Sequence, residues 1–266
     1  MNENNIFPLW TAVKPLTAPE DAERSEKVDF GEDGICRITD VTEPSLTFYP
    51  VAGRGPHPAV MVVPGGGYKI LAWNHEGKDI CAYFNSIGFS AFLLKYRCPD
   101  QRAAAHADAA RAMRFIRANA EKFNIKPDSI GALGFSAGSH LIATLSAPAD
   151  EIPYPPQDEI DNFSYRPDFA ALIYPAYLAD DDLNLCPEFK ITENTPPTFL
   201  LQSEDDPIRV ENAVGWYMAL KRAGVKAEMH LYSEGGHGYG IFRTGHPVSN
   251  WTALTTNWLY NLLQLK

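Results

Sequence analysis

Apolar residues recur along this chain in short runs, separated by stretches whose apolar positions repeat at helical spacing. Ala59-Val60-Met61-Val62-Val63 is unbroken and largely β-branched, as expected of a strand buried on both faces. The segments 89–96, 130–135, 169–174, 198–202 and 227–232 read as five further strands. Between them, residues 76–87 read as a helix closed by Gly88. Residues 103–123 read as a long helix with Ala105, Ala109, Ala112, Met113 and Ile116 along one face. Residues 210–223 form a third helix, closed by Gly224, and a C-terminal helix begins near Asn250. Residues 45–50 alternate like an edge strand, and 34–38 suggest one more. Strands alternating with helices, without hairpin turns, predict an α/β fold: a mostly parallel central sheet with helices on both faces. In such sheets, sites gather at the carboxyl ends of the strands.

Residues 1–45 are polar, rich in Pro, Glu and Asp, and poorly periodic, and are expected to form a surface arm. Residues 46–266 then make one domain, with irregular acidic insertions at about 148–167 and 179–197. A formal net charge of −10 argues against nucleic acid or an anionic membrane as partner. No apolar run reaches membrane-spanning length. Met1-Asn2-Glu3-Asn4-Asn5 carries no basic segment leading into an apolar one, so a cytoplasmic location is expected. The four cysteines, Cys36, Cys81, Cys98 and Cys186, are scattered and read as free thiols, neither staples nor metal ligands. No metal and no organic cofactor is expected.

The predicted strand at 130–135 runs into Gly134-Phe135-Ser136-Ala137-Gly138, a G-x-S-x-G pentapeptide opening a small-residue helix. A serine on so sharp a strand-to-helix turn has a strained backbone, which neighbours without side chains tolerate. The turn lifts the Ser136 hydroxyl above the sheet and aims the Ala137 amide at whatever it attacks. A serine hydroxyl needs a base, and the base needs an orienting acid. The order expected behind such a turn is Ser, then acid, then His. After the strand ending at Gln202 comes Ser203-Glu204-Asp205-Asp206-Pro207-Ile208, and after the one ending at Tyr232 comes Ser233-Glu234-Gly235-Gly236-His237-Gly238-Tyr239. His237, set among glycines, is the expected base, on a backbone flexible enough to swing the imidazole to the serine. Asp205 is the preferred acid, with Ile208 as its apolar anchor. Asp206, before Pro207, reads as turn chemistry, and Glu204 stands behind both. Most of the other six histidines read as surface or helix-face residues, and His140, just after the serine turn, is expected to pack along its helix. Pro64-Gly65-Gly66-Gly67-Tyr68 follows the run at 59–63. Its Gly66 and Gly67 amides, with Ala137, suit an oxyanion hole. A phosphate loop would need a Gly-Lys-Ser/Thr or G-x-G-x-x-G pattern that this loop lacks.

Taken with His75-Glu76-Gly77-Lys78-Asp79, Leu94-Lys95-Tyr96-Arg97, Asp108-Ala109-Ala110-Arg111 and Val210-Glu211-Asn212, these motifs resemble the α/β-hydrolase superfamily. Within it they resemble the small bacterial esterases described as acetyl xylan esterase-like or BD-FAE-like. The resemblance runs from about residue 45 to the C-terminus. It implies a three-layer α/β-hydrolase fold, Ser136 as nucleophile, His237 as base, Asp205 as acid, and Gly66, Gly67 and Ala137 as oxyanion donors. Lipase-type relatives carry His where this chain has Pro64, which fits the sugar-esterase subgroup better. Tyr68 is expected to line the acyl pocket, and Glu76, Arg97, Asp108 and Arg111 to form a polar network or helix-face charges. The implied activity is removal of short acyl groups, acetyl above all, from a small-molecule or oligosaccharide ester such as one derived from xylan. Three alternatives stand beside it: a general carboxylesterase, a peptidase of the prolyl-oligopeptidase type, and a catalytically inactive binding module. The intact Ser, acid, His and glycine loop weigh against the last. The peptidase type usually carries a propeller, for which 45 irregular residues do not suffice. The oligomeric state is left open.

Overall fold

A computed structural model of the chain describes residues 5–11, 13–151 and 154–265. Met1–Asn4, on which the reading of a missing leader partly rests, lie outside the described residues. Among the described residues the central sheet has eight strands: β1 (Ile6–Pro8), β4 (Ser45–Tyr49), β7 (Ser90–Lys95), β5 (His57–Val63), β8 (Ile125–Phe135), β9 (Ala170–Ile173), β10 (Thr198–Ser203) and β11 (Ala227–Tyr232), in that spatial order. From β7 to β11 every pairing is parallel, while β4 runs antiparallel to both β7 and β1. The buried runs of β5, β7, β8, β9 and β10 pack from both faces into one core. That is why they read as continuous apolar segments rather than alternating ones.

The chain steps one way from β5 to β7, then back past β5 to β8 and on to β9. Right-handed crossovers therefore place α1 (Asp79–Ser86) on the opposite face from α2 (Arg102–Ala118), α3 (Ala137–Ser146) and α4 (Glu211–Arg222). The C-terminal α5 (Trp251–Leu263) joins α1, where the Tyr83 hydroxyl meets the Thr252 carbonyl and the Thr256 hydroxyl. The reversal of strand order opens a crevice at the carboxyl ends of β5 and β8, where doubly wound sheets bind ligands. No helix among the described residues is long and apolar enough to cross a membrane.

The N-terminal segment, expected on the surface, is built into the fold. β1 pairs with β4, so β4 is not the sheet edge. Trp10 is buried, and its indole donates to Asp108 Oδ1 at 2.7 Å. Asp108 also takes the buried Arg97 guanidinium, which donates onward to the Pro15 carbonyl. Arg111 reaches the Leu9 carbonyl and forks onto Asp158. A buried charge is tolerated only when paired and fully hydrogen-bonded, and here both arginines complete their bonding with the incoming chain. Further along, β2 (Lys27–Phe30), β3 (Cys36–Thr39) and β6 (Leu71–Ala72) form a small antiparallel sheet, which carries Ile35 and Arg37 toward the crevice.

Candidate active site

Ser136 stands between β8 and α3 with φ 50° and ψ −117°, a left-handed region disfavoured for a residue with a side chain. The flanking glycines are spacers. A Cβ on Gly138 would lie 2.2 Å from the Val63 carbonyl oxygen, and one on Gly134 would lie 2.5 Å from the Gly138 carbonyl carbon. Strand β5, the turn and the first turn of α3 thus approach more closely than any side chain permits. The Ser136 amide donates to Ile173 O, and the Ser139 hydroxyl bonds Gly134 O and Ile173 O, which locks the turn to β9.

The loop after β11 brings His237 Nε2 to 2.9 Å from Ser136 Oγ. On the other side of the ring, Nδ1 lies 2.7 Å from Asp206 Oδ2, and the Asp206 side chain is fully buried. A carboxylate only accepts, so Nδ1 carries the proton, bare Nε2 faces the serine, and the Ser136 hydroxyl donates to it. Asp206, not the expected Asp205, is therefore the acid in contact with the imidazole. Asp205 is exposed and caps the histidine loop, accepting from the amides of Gly236 (2.8 Å) and Gly235 (3.2 Å). Those two bonds hold its carboxyl below the ordinary range. The turn chemistry read at Asp206 is real as well, since Oδ1 accepts from the Ile208 amide at 2.6 Å. One oxygen makes the turn and the other meets the histidine. Glu204 makes its backbone bond to Tyr232 O, beside these contacts but outside the chain.

Gly66 and Gly67 have φ of +128° and +63°, and a Cβ on Gly66 would lie 2.2 Å from the Ile70 carbonyl oxygen. Only glycine follows that path. Among the described residues nothing accepts a hydrogen bond from the amides of Gly66, Gly67 or Ala137. The neighbouring Gly65 amide is instead taken by Glu76 Oε2 at 2.7 Å. A cavity of about 330 Å³ opens over these groups, lined by Ile35, Ile70, Ala72 and Ile208 beside Ser136 and His237.

The BD-FAE family model matches residues 47–154, and the prolyl oligopeptidase family model matches 179–266. The crystal structure of an acetyl ester-xyloside bifunctional hydrolase from Caldicellulosiruptor lactoaceticus is 31% identical, with TM-score 0.79, over 98% of this chain and 96% of that one. The chain belongs to the α/β hydrolases. MGS-M1, an alpha/beta hydrolase enzyme from a deep-sea metagenome library, shares the fold at 25% identity and TM-score 0.70, over 91% of this chain and 99% of that one. An acetylxylan esterase of Xylanibacter ruminicola is 30% identical over 69% of this chain, and endo-1,4-beta-xylanase B of Butyrivibrio fibrisolvens is 32% identical over 68%. The chain spans 41% and 32% of the lengths of these two relatives.

Three features of this hydrolase depart from the sequence expectation or escaped it. Tyr68 does not line the cavity: it is 3% exposed, turned inward by a φ of +60°, and the half-exposed Tyr177 stands at the wall instead. His75 is buried rather than superficial, while His140 is buried along α3. His75 Nε2 donates to the Gly238 carbonyl at 3.0 Å, holding the histidine loop from behind. Tyr174 was missed altogether. Its ring packs edge-on to His237 with centroids 4.8 Å apart, and its hydroxyl donates to Glu76 Oε1 while accepting from the Gly240 amide. Glu76 thus joins the glycine loop to the histidine loop. Its burial raises the carboxyl above its ordinary range, against the hydrogen bonds from Tyr174 and Gly65. The signal available for Tyr174 was its place at the carboxyl end of the strand predicted at 169–174, the end of the sheet that drew attention to the other site loops.

Proposed function

We propose that this chain is a serine esterase that removes short acyl groups, acetyl first among them, from a carbohydrate such as a xylan-derived oligosaccharide. The observation that carries the reading is the unbroken hydrogen-bonded chain from Asp206 through His237 to Ser136, opening on a small cavity beside unbonded backbone amides. Ser136 Oγ attacks the ester carbonyl as its proton passes to His237 Nε2. Negative charge then develops on the carbonyl oxygen, where the Gly66, Gly67 and Ala137 amides stabilise it. Each such donor is worth roughly 3–4 kcal/mol in enzymes that use one. The intermediate collapses, His237 gives the proton to the leaving alcohol, and water repeats the sequence on the acyl-enzyme. Asp206 keeps the proton on Nδ1, so that Nε2 is always the face presented to the serine. The names of the relatives, an acetylxylan esterase, a xylanase and an acetyl ester-xyloside hydrolase, support the substrate class.

The test is a fluorophosphonate probe together with acetylated xylo-oligosaccharides. Wild-type protein is expected to label at Ser136 and release acetate, and Ser136→Ala to do neither while keeping its melting temperature. Full turnover in Ser136→Ala would overturn the mechanism. The match of residues 179–266 to the prolyl oligopeptidase family favours one second reading, amide cleavage. Faster turnover of a prolyl anilide than of the matched acetyl ester would select it.

A further inference from the structure

Among the described residues, the triad and the glycine loop leave one polar cluster beside Ser136 without a role: the buried Tyr68 and His140, the half-buried His106 and, at its outer end, the exposed Glu188. Tyr68 directly follows Gly67, and His140 lies one turn along α3 from Ser136, its amide bonded to Ser136 O. The Tyr68 hydroxyl is 2.7 Å from His140 Nδ1, and Glu188 Oε1 is 3.3 Å from His140 Nε2. The Glu188 carboxylate only accepts, so Nε2 carries the proton, Nδ1 is bare, and Tyr68 donates to it. His106 Nε2 lies farther from the same hydroxyl, at 3.4 Å.

The glycine loop is pinned on either side of its two unbonded amides. Tyr96 donates to Pro64 O at 2.9 Å, Glu76 takes the Gly65 amide, and Asp100 N donates to Tyr68 O. None of these three reaches α3, the helix that carries Ala137; among the described residues, the side-chain bond that ties the loop to it is the one from Tyr68 to His140. An oxyanion needs donors from both elements within about 2.7–3.1 Å of one point.

We propose that Tyr68 is a positioning residue whose hydroxyl, donated to His140, clamps the glycine loop to the elbow helix so that the Gly66, Gly67 and Ala137 amides converge on one oxygen. The inference rests on the esterase reading. It explains why an aromatic hydroxyl beside the site is turned away from substrate and held in a left-handed backbone conformation.

Tyr68→Phe removes the hydroxyl and keeps the ring. Its kcat on a short acetyl ester is expected to fall about 10- to 100-fold, the usual cost of slightly misplaced groups, with KM within about twofold. Affinity for a trifluoromethyl ketone, which forms an oxyanion on the serine, falls by the same factor. Affinity for the unreactive analogue of the same shape stays level. His140→Asn places an amide oxygen near the position of Nδ1 and is expected to keep most of the activity. His140→Leu matches Tyr68→Phe, and the double variant is no slower than either single one. The rate of Ser136 phosphonylation falls in parallel. That rate reads the clamp even in a chain that turns over no acetyl ester, so failure of the substrate reading stays distinguishable. Wild-type kcat and phosphonylation rate in Tyr68→Phe would overturn the clamp. So would a loss carried by KM or by the fraction of titratable serine.

Discussion

Asp206→Asn is expected to separate the two neighbouring carboxylates decisively. Asp206 accepts from three donors: His237 Nδ1 at 2.7 Å, the Ile208 amide at 2.6 Å, and Gln202 Nε2 at 3.3 Å. Asparagine has one oxygen and one NH₂ in their place. With its oxygen on Ile208, the NH₂ meets Nδ1, which must give up its proton. The proton then sits on Nε2, and the imidazole cannot accept from Ser136. With its oxygen on His237, the NH₂ meets the Ile208 N–H, and the turn that holds the acid opens. The first arrangement leaves the turn intact and follows from the shorter bond. The same exchange in Ser-His-Asp proteases costs about 10⁴-fold in kcat through this loss of tautomer. Here a fall of about 10³- to 10⁴-fold is expected, equivalent to about 4–5.5 kcal/mol of transition-state stabilisation. Asp205→Asn keeps one of its two bonds to the Gly235 and Gly236 amides of the histidine loop and is expected to cost under about tenfold, the scale of a surface capping change. The assay is steady-state hydrolysis of an activated acetyl ester, normalised by active-site titration, with a melting curve for each variant. At equal stability, an Asp205→Asn enzyme slower than Asp206→Asn would refute the assignment. So would an Asp206→Asn enzyme retaining a tenth of wild-type turnover.

Three further outcomes follow from the geometry. Gly138→Ala drives a methyl against the Val63 and Pro64 carbonyl oxygens, so it is expected to lose about 2–3 kcal/mol of stability in denaturant titration, the scale of overpacking. A wild-type unfolding midpoint would show that the turn has slack. The cavity of about 330 Å³ is small against the range of ligand pockets. On a series of acyl esters below their micelle-forming concentrations, kcat/KM is expected to peak at acetyl or propionyl, and a peak at octanoyl or beyond would refute this. Burial, with His140 and Arg102 beside it, lowers His106 from an ordinary value of 6.5 to about 3. The unfolded chain therefore binds a proton that the folded one refuses, so this stability is complete above about pH 6.5 and is lost as pH falls toward 3. His106→Gln is expected to flatten the acid side of the Tm profile, and parallel profiles would refute the shift.

Much of the site was legible because its parts lie where strands end. Apolar runs locate β5, β8 and β10, a segment interrupted by Glu228 and His230 reads as β11, and the loops that follow these strands are the glycine loop, the Ser136 turn, the Asp pair and the histidine loop. The choice within the Asp pair was not legible, because it turned on treating turn chemistry and the acid position as exclusive. Asp206 performs both, one through each carboxylate oxygen, and spacing along the chain carries no trace of that. Tyr68 was misplaced for a related reason. After two glycines the chain direction depends on φ values that no local pattern specifies, and a left-handed φ at Tyr68 sends the ring inward. The N-terminal strands escaped because three-residue β1 is too short to show a period and β2 is exposed along its whole length. What fastens that segment is non-local: the pairing of Arg97 and Asp108 needs the Trp10 indole and the Pro15 carbonyl to be complete.

The glycines around His237 read in sequence as a flexible surround that would let the base swing; in the structure Gly236 and Gly238 supply left-handed φ values of +65° and +73° with open space beside them, whereas Gly235 and the later Gly240 are packed tightly. A Cβ on Gly235 would lie 2.4 Å from Ser203 Oγ and 2.8 Å from Val248 Cγ1, and one on Gly240 would lie 2.5 Å from the His75 ring and carbonyl oxygen. Absent side chains here allow the loop to press against its neighbours. The imidazole itself is held by Asp206 on one nitrogen, by Ser136 on the other, and by the Tyr174 ring at its side. Tyr174 and His75 bond the following backbone at Gly240 and Gly238. Catalytic groups act best when their geometry is set before the substrate arrives, since reorganisation during the reaction raises the barrier. A base fixed this firmly needs its acid fixed equally firmly, and the fully buried Asp206, bonded at both oxygens, meets that requirement where the exposed Asp205 does not.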